Sequence, residues 1–374
     1  MKNVLILSNY LPNQGWGGGV IIRSLTENYP ENLKMFWTTF NIQPNQKNIK
    51  CNNIEVIDFQ TQYFRGRGFS DVILQFEMFF FVRDFNKLIR NNNIDLLWIV
   101  VGADYPNLVM IHSLVKKIKI PFHISIHDDP ILEIPIKKQK ATRLFKEILQ
   151  KANTIDVIST RMQIQYKNDF NVNSIVITRC IPEDFPKNSK ATNEKINILM
   201  GGSGNATLPW PKPLLDSIHK LNQTNNWQLH LFDSKLKSYE SSVVKVYDLM
   251  SEQSFNTILE TTNIGYACDD LKLENIKFAQ LSLPTKIVTY IGAGIPFLYH
   301  GPKDSTVGDL LKQYVCGIII ETNTPNDLTD GFLKLISNYN FYQENCILAK
   351  ENLFSIKVVQ NHFFNYILRK NQDD

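Results

Sequence analysis

The segment SLPTKIVTYIGAGIPFLY, residues 282–299, combines side chains that could hold a phosphate group. Ser282 and Thr285 are good N-cap residues, and Pro284 suits the first turn of a helix. Lys286 would then lie in that first turn, where the helix dipole disfavours a cation unless an anion is bound. The segment therefore predicts a diphosphate site at a helix N-terminus. The alternative is an ordinary capped helix with a solvated lysine.

Two glycine-rich segments follow predicted strands and could also approach an anion. NQGWGGGVIIRSL (13–25) follows the opening strand, and MGGSGNATLPWPKPLLDSI (200–218) follows the first strand of the second half. Glycine lets the backbone approach a ligand, and a following helix offers unpaired N–H groups. The first segment lacks the GxGxxG spacing, so a dinucleotide site is weakly supported. Tight turns and a solvated lysine are the alternative. The predicted binding residues are Gly17, Gly18, Gly19, Gly202, Ser203, Gly204 and Lys212.

A third cluster, HISIHDDPILEIP (123–135), ends a predicted strand with His127, Asp128 and Asp129. A neutral imidazole at the carboxyl end of a strand could donate a hydrogen bond to a substrate hydroxyl or to developing charge. In the alternative, an aspartate caps the next turn and His127 is a satisfied core group. One histidine with two adjacent carboxylates is an incomplete metal site, so no metal is expected.

The elements that position these residues follow from an alternation of apolar runs and helical patterns. NVLILSN (3–9), DLLWIVVG (95–102) and FHISIH (122–127) predict strands buried on both faces, whereas NLVMIHSLVKKIK (107–119) and TRLFKEILQKA (142–152) predict helices. Strands buried on both faces and separated by helices are typical of a parallel α/β sheet.

A change in composition divides the chain. PEDFPKNSKATNEK (182–195) has two prolines, many charges and no apolar pattern, which predicts a linker. Beyond it the alternation of strands and helices restarts. We therefore predict an α/β protein with two Rossmann-like, doubly wound domains, residues 1–185 and 186–354. Residues 355–374 are expected to form a C-terminal helix that crosses back to the first domain.

Composition limits the class of protein. The 374 residues are 43% hydrophobic and 20% charged, which is typical of globular domains, and the net charge of +4 does not indicate nucleic-acid binding. The five widely spaced cysteines, without a CxxC pair, favour a reducing compartment. The opening sequence lacks the apolar region of a signal peptide, and no 18-residue apolar run occurs. We expect a cytoplasmic location.

Taken in order, these motifs resemble the retaining glycosyltransferases of family 4, which have the GT-B fold. SLPTKIVTYIGAGIPFL resembles the family's loop, helix and strand at the donor site, and the GWGGG loop resembles its amino-terminal glycine loop. Residues 154–185 resemble the segment that ends the acceptor domain, and residues 245–270 resemble the helix and strand that pass the donor base.

The resemblance implies two domains that face a cleft, with a nucleotide sugar bound mainly by the second domain and the acceptor by the first. No metal or other cofactor is implied, because helix N-termini and basic side chains neutralise the leaving diphosphate. His127, with Asp128, would serve the reacting sugar. The implied donor-site residues are Gly17, Gly18, Gly19, Gly202, Ser203, Gly204, Lys212, Asp269, Asp270, Ser282, Leu283, Pro284, Thr285, Lys286 and Thr289.

The chain departs from the family at two acidic positions. The family usually has two glutamates eight residues apart around this helix, and Leu281 and Thr289 occupy those positions here. A threonine could replace only part of a ribose contact, and a leucine could not replace a carboxylate. The candidates to replace the first glutamate, at the position of Leu281, are Asp269, Asp270 and Glu274 in the preceding loop.

Basic and aromatic stretches suggest contact with an anionic membrane surface, where a lipid-linked acceptor would lie. Residues 63–90 mix arginines with an aromatic stripe, and residues 116–119 and 137–151 add basic faces. The alternative is core packing for the aromatic side chains and solvation for the lysines.

The sequence therefore favours a glycosyltransferase that moves a sugar from a nucleotide diphosphate donor to a glycan or lipid-linked acceptor, in surface polysaccharide biosynthesis. The expected partners are the donor, that acceptor and the membrane surface, without nucleic acid. Two alternatives stay open. One is a sugar-nucleotide epimerase of the same fold, and the other is a non-catalytic protein that binds nucleotide or glycan.

Overall fold

The computed structural model describes residues 1–9, 17–39, 54–57, 59, 71–134, 137–188, 195–201, 210–224, 226–248, 252–272 and 274–369. Within these residues the chain forms two compact units. Residues 1–179 and 359–374 make up the first unit, and residues 180–358 make up the second.

The first unit is built on a parallel sheet, which has seven strands in the described residues, in the order β3-β2-β1-β4-β5-β6-β7. Strand β1 is buried on both faces, with Val4, Leu5, Ile6 and Leu7 fully inaccessible. Such burial requires helices on both sides of the sheet. The strands are β1 (Lys2–Ser8), β2 (Leu33–Thr39), β3 (Glu55–Val56), β4 (Leu96–Val100), β5 (Phe122–Ile126), β6 (Thr154–Val157) and β7 (Ile175–Val176).

Two of the longer helices of this unit begin at side-chain caps. The side chain of Asp104 accepts the amide of Asn107 at the start of α3, and that of Ser159 accepts the amide of Met162 at the start of α6. The helices are α1 (Gly17–Thr26), α2 (Asp71–Asn91), α3 (Tyr105–Val115), α4 (Pro130–Glu133), α5 (Lys138–Lys151) and α6 (Thr160–Phe170).

The second unit repeats the architecture, with six parallel strands among its described residues in the order β10-β9-β8-β11-β12-β13. The strands are β8 (Ile196–Met200), β9 (Trp227–Phe232), β10 (Val244–Tyr247), β11 (Ile264–Cys268), β12 (Phe297–His300) and β13 (Gly317–Ile320). The helices are α7 (Pro211–Leu221), α8 (Glu252–Glu260), α9 (Ile276–Leu281), α10 (Thr285–Gly292), α11 (Thr306–Tyr314), α12 (Pro325–Ser337) and α13 (Tyr339–Ala349). The predicted fold class, α/β with two Rossmann-like parallel-sheet domains, is confirmed.

The last helix, α14 (Ile356–Arg369), belongs to the first unit from Val359 onward. The side-chain amide of Gln360 donates to the carbonyls of Ser24 and Leu25, at 3.1 and 3.0 Å, where α1 ends. The ring of Phe363 lies 4.6 Å from that of Trp98, between centroids. These contacts satisfy the end of α1 and cover the aromatic core beneath it.

The segment after β7 packs on the second unit. The amide of Ile181 donates to the carbonyl of Phe354 at 2.6 Å, and the amide of Asn188 donates to the carbonyl of Ala293 at 3.0 Å. The side chain of Asn188 also donates to the Tyr339 hydroxyl at 2.7 Å. Residues 180–188, which include the start of the predicted linker, are therefore anchored by hydrogen bonds, whereas residues 189–194 lie outside the described residues.

Two helices differ in length from their predictions. Helix α3 ends at Val115, with Lys116 as the C-cap, although the apolar pattern continues to residue 119. Helix α5 begins at Lys138, four residues before the predicted start. Its basic first turn carries no apolar periodicity, which is why the pattern did not show it.

Candidate functional site

The order of strands in the second unit reverses direction between β8 and β11, which lie side by side at its centre. In open parallel sheets, ligands bind at the carboxyl ends of the strands that flank such a reversal. Gly201 directly follows β8, and Asp269 directly follows β11. These two residues mark the place in this unit where a ligand is expected.

Helix α10 begins at this edge, but not with the caps that the sequence suggested. It starts at Thr285, Pro284 occupies the N-cap position with an extended ψ of 126°, and no side chain caps it among the described residues. Ser282 instead ends α9, where its amide donates to the carbonyl of Phe278 at 2.9 Å. The predicted capping roles of Ser282 and Thr285 are therefore wrong, because a proline with fixed φ occupies the capping position. In the described part of the chain, the N-cap position of α10 therefore provides no side-chain acceptor for the amides of the first turn.

Lys286, in that first turn, is half-buried and acts electrostatically on the end of β11. Burial raises the pKa of Asp269, while a hydrogen bond from the Tyr299 hydroxyl at 2.8 Å and the charge of Lys286 oppose that rise. Burial also raises the pKa of the adjacent Cys268 to about 12, so this thiol is inert near neutral pH. The edge therefore combines a carboxyl group, a phenol and a cation.

Of the three acidic residues considered as replacements for the glutamate of family 4, Asp269 is half-buried and interacts electrostatically with Lys286. Both carboxylate oxygens of Asp270 are used within its own turn, accepting from the Lys272 amide at 3.0 Å and the Asn275 side chain at 2.7 Å. Burial alone would raise the pKa of Asp270, but these hydrogen bonds outweigh it and lower the pKa. Glu274 is exposed on the same turn.

The two positions where the family has glutamates are both buried. Leu281 is 4% exposed and Thr289 is 6% exposed. The hydroxyl of Thr289 donates to the carbonyl of Thr285, one turn earlier, at 2.9 Å. Its proton is therefore already used within α10, and Leu283 beside the helix start is also buried.

Tyr290, one residue after Thr289, makes hydrogen bonds that the sequence did not predict. Its hydroxyl accepts the amide of Gly201 at 2.9 Å and lies within donating distance of the carbonyls of Leu199, at 2.9 Å, and Tyr266, at 3.1 Å. A tyrosine in an apolar helical pattern predicts core packing, and nothing local reveals partners about 90 residues away. Helix α10 is thereby joined to the strand that leads into the second glycine segment.

The second glycine segment is only partly described. Gly202, Ser203 and Gly204 lie outside the described residues. Helix α7 begins at Pro211, so Lys212 lies in its first turn. The Lys212 ammonium is highly exposed and lies 3.3 Å from the carboxylate of Asp216, one turn further on. The structure therefore shows Lys212 in an exposed i,i+4 ion pair.

In the first unit, the strand order reverses between β1 and β4. Residues 13–16 of the predicted glycine segment lie outside the described residues. Gly17, Gly18 and Gly19 form the first turn of α1, and Gly19 is buried. These glycines place no side chain of their own over the backbone of that turn. This arrangement suits close approach of an anionic group.

His127 follows β5, the neighbour of β4, and is 7% exposed. Burial lowers its pKa, and His123 acts in the same direction, whereas Asp156 and Asp128 oppose the shift. The imidazole is therefore neutral at neutral pH and can donate or accept a hydrogen bond without a change of charge. Asp128 is exposed beside it. His127 and Asp128 are thus adjacent at a strand end, one buried and one in solvent.

Asp129 has a structural role of the kind weighed in the sequence. It is the N-cap of α4 and accepts the amide of Ile131 at 2.8 Å. Burial raises the pKa of Asp129, and the amides of Ile131 and Leu132 oppose that rise.

His123, within β5, is fully buried in a polar network under the sheet. Its Nε2 lies 2.6 Å from the carboxylate of Asp156, and its Nδ1 lies 2.8 Å from the hydroxyl of Thr154. Ser125 donates to the same carboxylate and accepts from the indole of Trp98 at 2.7 Å. This serine, histidine and aspartate are all inaccessible to solvent, so they do not form a hydrolytic triad. They join β5 to β6, and the bond from Trp98 adds β4.

Two searches of the described residues concern other kinds of site. No three side chains of His, Cys, Asp or Glu in this part of the chain come together in a group that could hold a metal ion. Among the helices that the structure describes, none combines the length and apolar character needed to cross a bilayer.

Comparison with solved structures gives matches along the whole chain. Sucrose-phosphate synthase from Thermosynechococcus elongatus is similar with a TM-score of 0.74 at 11% identity, covering 100% of both chains. HepE from Anabaena, solved with UDP and glucose, has a TM-score of 0.68 at 13% identity, covering 98% of this chain and 99% of HepE. A Listeria monocytogenes protein assigned as a UDP-N-acetylglucosamine 2-epimerase has a TM-score of 0.62 at 11% identity, covering 100% of this chain and 98% of its own.

These likenesses define the class of architecture. Sucrose-phosphate synthase and HepE are GT-B proteins, and the two Rossmann-like units of this chain have the GT-B fold. At 11–13% identity, the likeness shows the fold alone. No protein-family model and no curated protein matches the sequence.

Proposed function

We propose that this chain is a glycosyltransferase of the GT-B type that transfers a sugar from a nucleotide diphosphate donor to a glycan or lipid-linked acceptor. The observation that carries the proposal is Lys286. This cation lies half-buried in the first turn of a helix whose N-cap residue, Pro284, makes no side-chain capping bond, at the edge where the strand order reverses. The helix dipole disfavours a cation there, and a bound diphosphate would reverse that balance.

In this proposal the second unit binds the donor. The amides at the start of α10 and the ammonium of Lys286 would stabilise the negative charge that develops on the leaving diphosphate. Such donors supply the charge stabilisation without a metal ion. The glycine segment at 202–204 and Lys212 remain proposed contacts, the latter after release from Asp216. HepE, a structural neighbour, was solved with UDP and glucose, which supports a nucleotide sugar as the donor.

The first unit would contribute His127 to the reacting sugar. Burial lowers the pKa of His127, so the neutral imidazole can donate a hydrogen bond to a sugar hydroxyl as positive charge develops at the anomeric carbon. Asp128 would fix the orientation of the sugar from the solvent side. The family 4 resemblance supports retention of configuration at that carbon.

Asp269 is the proposed replacement for the family's missing glutamate near the sugar. Its half-buried carboxyl group lies at the donor edge, accepts from the Tyr299 hydroxyl and interacts with the charge of Lys286. The proton of the Thr289 hydroxyl is already donated to the carbonyl of Thr285, so Thr289 could only accept a hydrogen bond from the donor ribose.

Incubation with nucleotide sugars, with and without glycan acceptors, distinguishes the proposal from its rivals. A transferase releases the nucleotide diphosphate faster with an acceptor present and extends that acceptor by one sugar. The likeness to the Listeria protein assigned as an epimerase favours one alternative, in which the donor is epimerised without an acceptor. Nucleotide binding without either reaction would indicate a non-catalytic binding protein.

We also propose that α2 brings the first unit to an anionic membrane surface, on the cytoplasmic side, where a lipid-linked acceptor for surface polysaccharide would lie. Phe76 and Phe79 are 67% and 68% exposed on this helix. The guanidinium of Arg83 lies 5.1 Å from the ring centroid of the neighbouring Phe80. Exposed aromatic rings beside a cation suit the interface of an anionic bilayer.

Flotation with phosphatidylglycerol vesicles tests the membrane contact of α2. Co-flotation that is lost in a Phe76→Ser, Phe79→Ser double variant supports this contact, and no flotation of the wild type contradicts it.

A further inference from the structure

The hydrogen-bond ladder between the two central strands of the second unit is short. Among the described residues, strands β8 and β11 pair at Ile198 with Ile264 and at Leu199 with Gly265. Both strands continue beyond that pairing, β8 to Met200 and β11 to Cys268. The backbone groups at the ends of these strands, where a ligand is expected, therefore need other partners.

The hydroxyl of Tyr290 supplies those partners. It accepts the amide of Gly201 at 2.9 Å, and the carbonyls of Leu199 at 2.9 Å and Tyr266 at 3.1 Å are both within reach of its single proton. Leu199 and Gly201 continue β8, whereas Tyr266 belongs to β11. One side-chain hydroxyl thus bridges both strands immediately after their ladder ends.

The sequence leaves space for this tyrosine ring. A Cβ atom at Gly265 would lie 2.3 Å from a ring carbon of Tyr290, which is well inside van der Waals contact. Glycine is therefore required at this position in the middle of β11, where it otherwise weakens a strand. Tyr290 itself is fully buried, so it cannot touch a ligand directly.

We infer that Tyr290 is a positioning residue for the proposed nucleotide site. Its hydroxyl fixes Gly201, from which the second glycine segment begins, to α10, which carries Lys286 in its first turn. The Gly201 amide and helix α10 are thereby held at a set separation. The inference rests on the proposed function, since it concerns the binding of that donor nucleotide.

The test is the Tyr290→Phe variant, which keeps the ring and removes only the hydroxyl. Loss of this group leaves the buried Gly201 amide without its acceptor and one of the two carbonyls without its donor, and we expect nucleotide affinity measured by calorimetry to fall about tenfold. The ligands are UDP, GDP, ADP and CMP. The matched control is Tyr339→Phe, which removes another buried hydroxyl of the same unit, one that accepts from Asn188 at 2.7 Å. The control is expected to lower the melting temperature without changing nucleotide affinity.

The outcomes separate the inference from the proposed function. Wild-type affinity in Tyr290→Phe, in a chain that binds nucleotide, overturns the inference and leaves the proposed function standing. A wild-type chain that binds no nucleotide overturns both. Equal loss of affinity in the two variants also overturns the inference, because it would report general destabilisation.

Hydrogen exchange on the wild-type chain adds a measurement that needs no variant. The Gly201 amide is expected to be protected without nucleotide, because it donates to a buried hydroxyl, and more protected when nucleotide is added. If the Gly201 amide exchanges as fast as a solvent-exposed amide, its hydrogen bond to the Tyr290 hydroxyl is contradicted.

Discussion

Asp269 and Lys286 lie at the carboxyl edge of the second sheet, in surroundings that oppose their charges in different ways. Burial raises the pKa of Asp269, and the helix dipole disfavours the ammonium of Lys286. Residues held against their local preference are typical of functional sites, because a ligand supplies the missing stabilisation. Substitution of either residue is therefore expected to affect ligand binding or activity more than it affects the stability of the fold.

Replacement of Asp269 by Asn should separate stability from turnover. A carboxyl group whose folded pKa is raised stabilises the fold only at low pH, and that stability is lost as the pH rises through the folded pKa. At pH 7 the neutral amide is therefore not expected to lower the melting temperature, since its oxygen can still accept from Tyr299. Sugar transfer is expected to fall about tenfold or more, measured as nucleotide release with an acceptor. A lower melting temperature with full transfer activity would show that Asp269 is only structural.

The buried histidines predict how stability depends on pH. Burial lowers the pKa of His127 in the first unit, and burial with the nearby charges of Lys245 and Lys195 lowers that of His230 in the second to about 4. The unfolded chain has the ordinary value near 6.5, so it takes up protons that the folded chain does not. The free energy of unfolding should be full above pH ~6.5 and fall as the pH drops toward the folded pKa values.

Urea unfolding at pH 7 and pH 5 measures this dependence. His230→Gln should lose part of the decrease, which for this one group amounts to about 2 kcal/mol between the two pH values. Lys235→Gln, on the exposed turn after β9, serves as the control and should keep the full decrease. Stability that rises from pH 7 to pH 5 in the wild type would contradict the assignment of neutral buried imidazoles.

At the scale of the element, strands were easier to predict than helix ends. The runs at 3–9 and 122–127 are apolar on both faces, which only a covered parallel strand requires, and β1 and β5 lie there. Helix α10 was predicted from capping residues, yet Pro284 holds the N-cap position. The helix itself was predicted correctly, but its N-cap residue was not. Local propensity does not specify which of several neighbouring residues occupies the N-cap position.

Contacts between distant elements could not be predicted from the sequence. Tyr290 reaches Gly201 and Leu199 across 89 and 91 residues, and its ring needs the glycine at 265. Periodicity identifies Tyr290 as apolar and buried, but the partner of its hydroxyl depends on how β8 and β11 pair. The Asp269 and Tyr299 pair depends in the same way on the alignment of β11 with β12.

The packing of α14 on the first unit makes a prediction at this scale. Phe363 is fully buried, with its ring 4.6 Å from Trp98 and 5.3 Å from His123, between centroids. Phe363→Ala should lower the free energy of unfolding by about 3–5 kcal/mol, because it leaves a cavity over the aromatic core. Val358→Ala, at an exposed position of the same helix, should change it by less than about 0.5 kcal/mol. Equal, small effects in urea unfolding would show that α14 adds little to the first unit.

At the scale of the whole molecule, the fold is retained while the sequence has diverged. Matches at 11–13% identity cover nearly the full length of both chains. Similar folds at such low sequence identity are expected, because strand order and burial on both faces depend on whether a residue is apolar or polar. They do not depend on which particular apolar residue is present. Leu281 and Thr289 stand at the positions where the family 4 glycosyltransferases, which these motifs resemble, usually have a pair of glutamates.

The proposed diphosphate site at the start of α10 can be tested directly by nucleotide binding. A thermal-shift screen with UDP, GDP, ADP, CMP and their sugars should identify one nucleotide that stabilises the wild type, by about 2.7 kcal/mol at a concentration one hundred times its Kd. Lys286→Ala should weaken that nucleotide about 10- to 100-fold, because it removes a charge-assisted contact. Lys312→Ala, at an exposed position on α11, should bind as the wild type does. Stabilisation that persists unchanged in Lys286→Ala, or that no nucleotide produces, would contradict a diphosphate site at the start of α10.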